Sequence, residues 1–266
     1  MEVHHHPNVE KKNLKEYFLE FLMIFLAVAL GFFAENIREN ISENAKAKEL
    51  AESLYKEIYS DSIIVQQKTA GRLEKEDYIN YFIRYVRDSN LNNLSDKFYP
   101  AFTATAITTL STIFEPKDGI LNQLRNSGAL RYFKSSQLQE EIGKISIAIS
   151  NLKARNDIEA SFRESKIWAF SINHYEFRWF EELVRLHKSS VNSTDVEGWL
   201  KTLNPQSLAK PRILKPDLFD REEAENIAAA YLVIVRGTHL LSYKEYADAN
   251  HQLLEMLRKE YNAKKE

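Results

Sequence analysis

The sequence predicts an all-α protein in which an N-terminal transmembrane helix continues into a long stalk helix and an antiparallel helical bundle. Three observations predict it. Residues 17–34, YFLEFLMIFLAVALGFFA, form an apolar run interrupted by one charge, Glu20. Two later segments step 4-3-4-3 through apolar or small positions: Leu138, Ile142, Ile145, Ile149 and Leu152, then Ile227, Tyr231, Ile234, Thr238 and Leu241. That spacing lines up one face of a helix and suits coiled-coil-like packing. Glycine and proline are also scarce, seven and six in 266 residues, which leaves long stretches without a helix breaker.

At about 1.5 Å of rise per residue, the run over 17–34 spans roughly 27 Å of helix, close to the ~30 Å hydrocarbon core of a bilayer. Its uninterrupted part, 21–34, also matches a buried core helix or the apolar region of a signal peptide. The run is apolar on every side, whereas a helix on a soluble bundle shows a polar face. It ends Phe32-Phe33-Ala34-Glu35 with no small-x-small cleavage pattern. The expectation is therefore an uncleaved anchor over 16–36, preceded by a short basic tail over 1–15 and followed by a helical-bundle domain over 37–266.

Glu20 has two readings. It lies one turn inside the Lys11, Lys12 and Lys15 side, where its carboxylate can snorkel to the headgroups. Alternatively it is an intramembrane acid that carries a proton or pairs with a partner. Helical spacing puts Glu20, Ala27, Gly31 and Ala34 on one face, and Ala27-x-x-x-Gly31 is a small-xxx-small pattern. These four residues form a candidate membrane packing seam. Lysines 11, 12 and 15 on one flank, against Arg38, Lys46 and Lys48 on the other, favour a cytoplasmic N-terminus and a body outside the cytoplasm.

A net charge of −2 gives no electrostatic case for nucleic acid. The absence of cysteine excludes disulfides, thiol nucleophiles and thiolate metal sites. His4, His5 and His6 read as a solvated tail, because adjacent residues on such a tail cannot preorganise a closed metal site. Asn13 is placed to cap the first helix. Helix is expected without a break to Gly71, with Leu50, Leu54, Ile58 and Ile64/Val65 as its packing stripe, and again from Arg72 to Asp88 with Tyr78, Ile79, Phe82, Ile83 and Val86 on one side.

Beyond that, a polar loop over 89–99 is closed by Pro100, and an apolar segment to Pro116 reads as helix. A short helix over 117–125 follows, with Gly128 in the turn after it. Ser135-Ser136 reads as the cap of a long helix to about residue 186, with Glu140 as capping-box partner. Residues 187–219, rich in Ser, Asn and Pro, read as a linker, and Asp220 starts the last helix. The sequence holds no phosphate-cradling glycine loop, nucleophile elbow, zinc-protease or EF-hand motif. No catalytic, cofactor-binding or metal-binding residue is expected, and no enzymatic activity.

MEVHHHPNVEKK, KEYFLEFLMIFLAVALGFFAENIRE and ILNQLRNSGALRYFKSSQLQEEI together resemble a family of uncharacterised single-pass membrane proteins of Bacteroidetes. The resemblance covers nearly the whole chain and implies membrane attachment in a bacterial envelope; it brings no catalytic residues. The expectation for function is a non-enzymatic scaffold or interaction module at the inner membrane. Its partners would be the lipid bilayer and a homo-oligomer or another membrane protein. The alternative is an extracytoplasmic ligand-sensing bundle, with a pocket among Trp168, Tyr175, Trp179 and Tyr231 and a separate signalling partner. A third reading is a proton- or ion-coupled assembly using Glu20.

Overall fold

The computed structural model describes residues 13–107, 112–186 and 211–264. The basic tail with His4–His6, Lys11 and Lys12, and most of the 187–219 linker, lie outside the described residues. Every described element is helical, and the chain divides into two compact units, Met1–Leu50 and Ala51–Glu266.

A single helix, α1 (Leu14–Asp88, 75 residues), supplies the described helix of the first unit and the opening helix of the second. It starts where Asn13 accepts the Glu16 amide at 2.8 Å, while the Glu16 carboxylate accepts the Asn13 amide at 3.0 Å. This reciprocal pairing satisfies donors that the first turn leaves free. In the first unit the helix then carries its apolar side chains outward from Leu14 to Ile41. Past the apolar run, local polar pairs decorate it: Arg38 Nε donates to Glu35 at 2.9 Å, and the Asn40 amide donates to the Asn36 carbonyl at 2.9 Å.

The second unit is an up-down-up-down bundle whose second limb is broken. Its elements after α1 are α2 (Phe98–Ala106), α3 (Gly119–Asn126), a 3-10 turn (Ala129–Tyr132), α4 (Ser136–Phe162), α5 (Ala169–His174), α6 (Phe177–Leu186), a short 3-10 segment (Pro216–Leu218), α7 (Arg221–Gly237) and α8 (Lys244–Tyr261). A π turn, Arg163–Trp168, joins α4 to α5, and another, Thr238–Tyr243, joins α7 to α8. The direction of each limb follows from its contacts. Going up α1, Tyr55 meets Arg258, Ile58 meets Asn250, Asp61 meets Tyr246, Glu76 meets Arg236 and Arg87 meets Glu225. So α7–α8 run antiparallel to α1. Going up α4, Ser135 meets Glu260, Asn151 meets Glu245, and Arg155 meets Thr238. Hence α1 and α4 run the same way, and α2, α3 and the 3-10 turn make the descent between them.

The packing follows the periodicity. Leu138, Ile142, Ile145, Ile149 and Leu152 are all buried, as are Leu253, Leu254 and Leu257 of α8, the helix that packs against α4. At the other end an aromatic cluster joins Phe82, Phe98, Tyr99, Phe102, Tyr175 and Trp179, with Val86, Ala228 and Val235. Its rings meet mostly edge-on or tilted, as for Tyr99–Trp179 at 5.0 Å and Phe102–Tyr175 at 5.0 Å, the arrangement that ring quadrupoles favour.

Five local expectations are corrected. Gly71 does not break α1; one interior glycine costs about 1 kcal/mol, and the buried residues from Arg72 to Val86 hold the helix together. Pro100 does not close a loop, because α2 begins at Phe98 and places the proline in its first turn, where no amide donor is needed. Ser135 alone caps α4, accepting the Leu138 amide at 3.2 Å; Glu140 lies too far along for a capping box and pairs with Lys144 instead. The long helix from 136 stops at His174. Tyr175 is extended, its ring fixed by Thr103 at 2.6 Å, and the Glu176 amide donates to the Tyr99 hydroxyl at 2.8 Å. Finally Leu241, expected in the α7 stripe, is 70% exposed. The π turn inserts a residue there, and the buried face passes from Thr238 to Tyr243 and Tyr246.

Candidate functional site

Two features stand apart from ordinary helix packing, and each lies within one unit. The first is the bare helix of Met1–Leu50. Among the described residues one helix is long and apolar enough to cross a membrane, and it is α1 by way of this stretch. Twelve large apolar side chains from Tyr17 to Phe33 are each about half exposed or more. The candidate seam lies on it: Glu20 is partly covered, and Ala27, Gly31 and Ala34 are exposed. A Cβ built on Gly31 meets nothing within 4 Å, so that face is open to close approach by another helix.

The second feature is a charged centre inside the bundle, which the sequence reading missed. Arg72 and Lys75 occupy the core-facing stripe of α1 and are 0% exposed. Arg72 Nη2 lies 2.8 Å from Glu159 Oε2 of α4, with both side chains fully covered. The guanidinium sits 4.7 Å from the Tyr243 ring centroid, and its Nη1 donates to the Val235 carbonyl at 3.4 Å. The Tyr231 hydroxyl donates to Glu159 Oε1 at 3.4 Å, and Lys75 Nζ lies 5.1 Å over the Tyr231 ring. Burial works against the Arg72 cation, but Glu159 and Tyr243 outweigh it and hold its pKa above the ordinary value. Burial likewise raises the Tyr243 phenol, with Arg72 pulling the other way.

This centre explains why α7 tolerates a π turn. The Thr238 amide is shared between the carbonyls of Ile234 and Val235, where α7 passes into the turn. Arg72 reaches Val235 from α1, and Arg155 of α4 donates to Ile234 at 3.3 Å and to Thr238 Oγ1 at 3.2 Å. Gly237 makes room for that approach: a Cβ there would sit 2.7 Å from Arg155 Nη2. On the outer side Glu76 accepts from Arg236 at 3.0 Å and lies 3.2 Å from His239 Nδ1. Tyr243 then bridges onward, donating to the Thr112 carbonyl at 2.8 Å and accepting the Phe114 amide at 2.7 Å.

A second acidic anchor lies further down α1. Asp61 Oδ2 accepts the Lys117 amide at 2.7 Å and the Tyr246 hydroxyl at 3.1 Å, while Oδ1 is buried without a partner. The Glu57 carboxylate accepts the Ile120 amide at 3.1 Å, capping α3 from a neighbouring helix. Burial raises the pKa of both acids, and for Asp61 the Lys117 amide and Tyr246 oppose it.

Other candidates are absorbed by packing. Tyr175, Trp179 and Tyr231 are buried in the core, and Trp168, 40% exposed, lies edge-on to Phe177. His174 packs against Phe170 and Phe219, with Nδ1 3.1 Å from the Leu214 carbonyl. Among the described residues no group of three His, Asp or Glu side chains is placed to hold a metal ion. A groove of ≈ 390 Å³ is lined by Tyr55, Tyr59, Arg258 and Asn262, but Arg258 there is already engaged by the Tyr55 hydroxyl at 3.0 Å and by Glu255.

Comparison with protein-family models, curated proteins and solved structures finds no match.

Two outcomes follow from the buried groups. Removing one member of the Arg72–Glu159 pair strands a charge in the core, so Arg72→Met or Glu159→Gln should lower stability by about 3–5 kcal/mol. Arg72→Met combined with Glu159→Leu should recover most of that loss. Urea denaturation in mild detergent, followed by circular dichroism, measures both. For Asp61, the folded pKa stands above the unfolded value of 3.8. The folded state therefore binds the proton more tightly, and the gain from this group is complete below 3.8 and fades as pH rises through the folded value. Asp61→Asn keeps an acceptor and removes the titration. The stability of the native protein relative to this variant should fall as pH rises above 3.8, read from urea midpoints at each pH.

Proposed function

We propose that this chain is a membrane-anchored, non-enzymatic scaffold or interaction module, held by the helix over 17–34 in a bacterial inner membrane. The basic tail stays on the cytoplasmic side and the helical bundle stands in the periplasm. One observation carries this reading: among the described residues, twelve large apolar side chains from Tyr17 to Phe33 are each about half exposed or more. Full burial is worth about 1.5–3 kcal/mol for each such side chain, so a half-exposed dozen leaves on the order of 10 kcal/mol to be gained by entering lipid. The Lys/Arg bias supports the orientation. For the bundle, the support is that its buried charges are spent on joining α1, α4 and α7, which makes a rigid platform. The ligand-sensing alternative has less behind it, because three of its four pocket residues are core.

Alkaline carbonate extraction of membranes containing the full chain tests the anchor. The intact chain should remain in the pellet, and the variant Leu26→Arg/Leu30→Arg should pass into the supernatant. Protease added outside spheroplasts should remove the bundle while sparing the tail. Recovery of the intact native chain in the supernatant would overturn the reading.

A further inference from the structure

We infer that residues 23–44 of α1 pair with a second copy of this chain as a parallel, in-register coiled coil running out of the membrane. The inference rests on the anchor reading above and names its partner. Met23, Ala27, Leu30, Ala34, Ile37, Ile41 and Asn44 step 4-3-4-3-4-3 along the helix, the a/d spacing of a left-handed coiled coil. Ala27, Ala34 and Ile41 take the a positions, and Met23, Leu30, Ile37 and Asn44 the d positions. The seam therefore crosses the lipid–water boundary without losing register. Two of the candidate seam residues, Ala27 and Ala34, fall on it. Gly31 flanks it, and Glu20, one a position further out, marks where its uncharged run ends.

Beyond the apolar run the pattern is sharper. Residues 35–46, ENIRENISENAK, carry Glu35, Arg38, Glu39, Glu43 and Lys46. None of these falls at a or d, and four of the five lie at b, c or f, on the far side of the helix. Ile37 and Ile41 are the only apolar residues larger than alanine in this stretch, and they are 45% and 65% exposed. A polar helix segment with no packed face is marginal in water, so a partner on this stripe would stabilise it.

The seam fits its own copy. A membrane inserts every copy in the same direction, so two identical helices meet with matching layers at matching heights. Alanine against alanine allows close approach within lipid, and isoleucine meets isoleucine just outside it. Asn44 meets Asn44, and an amide both donates and accepts. One buried asparagine at such a position penalises shifted registers. Area selects the whole seam rather than its end: two isoleucines per copy fall far short of the roughly 800 Å² per partner that a stable interface buries. The layers inside the span have to take part.

The chain has no cysteine, so single cysteines report position without background. Ile37→Cys, Ile41→Cys and Asn44→Cys in native membranes should form disulfides on mild oxidation, giving a band at twice the 31.0 kDa chain mass. Glu39→Cys, Ser42→Cys and Lys46→Cys, on the outer face, should give at least about tenfold less. A flat pattern, no product, or a product of another mass would overturn the inference, the last pointing to a different membrane protein. Carbonate extraction of the same membranes separates the two failures. Chain lost to the supernatant defeats the anchor itself, while pelleted chain without the periodic pattern defeats only the pairing.

Discussion

Water is a poor host for residues 17–34, and that constraint organises everything else about this protein. The stretch is apolar around its whole circumference, and its side chains are exposed within the first unit. A helix in that condition needs lipid or protein around it. The polar pairs that follow, Arg38 with Glu35 and Asn40 with Asn36, mark the point where the same helix becomes compatible with water.

The bundle meets a different constraint. Taking Arg72, Lys75 and Glu159 out of water is expensive, and a buried ion pair often contributes little net stability. What the arrangement gives is uniqueness of fit. One guanidinium touches α4 through Glu159 and α7 through Val235, and lies over the Tyr243 ring at the end of the π turn. Sliding any of these helices by a turn would strand a charge. Together with Arg155 on Ile234 and Thr238, the pair ties the irregular turn to the register of the two helices that run against it.

Much of the fold was legible in the sequence, because it is written in residues whose burial is local and periodic. The 138–152 seam, the Asp220 cap and the αL glycine at Gly128 all stand where spacing and turn chemistry place them. The failures share a cause: each depends on a partner distant in sequence. Arg72 and Lys75 look like surface charges until Glu159 and Tyr231 are beside them. Leu241 follows the stripe until the π turn shifts it, and that turn is held by arginines from two other helices. Tyr175 breaks a helix with neither glycine nor proline nearby, through a hydroxyl bond to Thr103. For Glu20, Ala27, Gly31 and Ala34 the sequence supplies their common face, and the structure adds that the face is open at Gly31.

The claim tested most directly is that the helix over 17–34 lies in lipid. Nitroxide labels on single cysteines at 24, 28, 32, 39 and 43, in the full chain reconstituted into vesicles, report it through accessibility to oxygen and to a water-soluble nickel chelate. The account predicts high oxygen and low chelate accessibility at 24, 28 and 32, reversing at 39 and 43. Chelate reaching all five labels alike would contradict it.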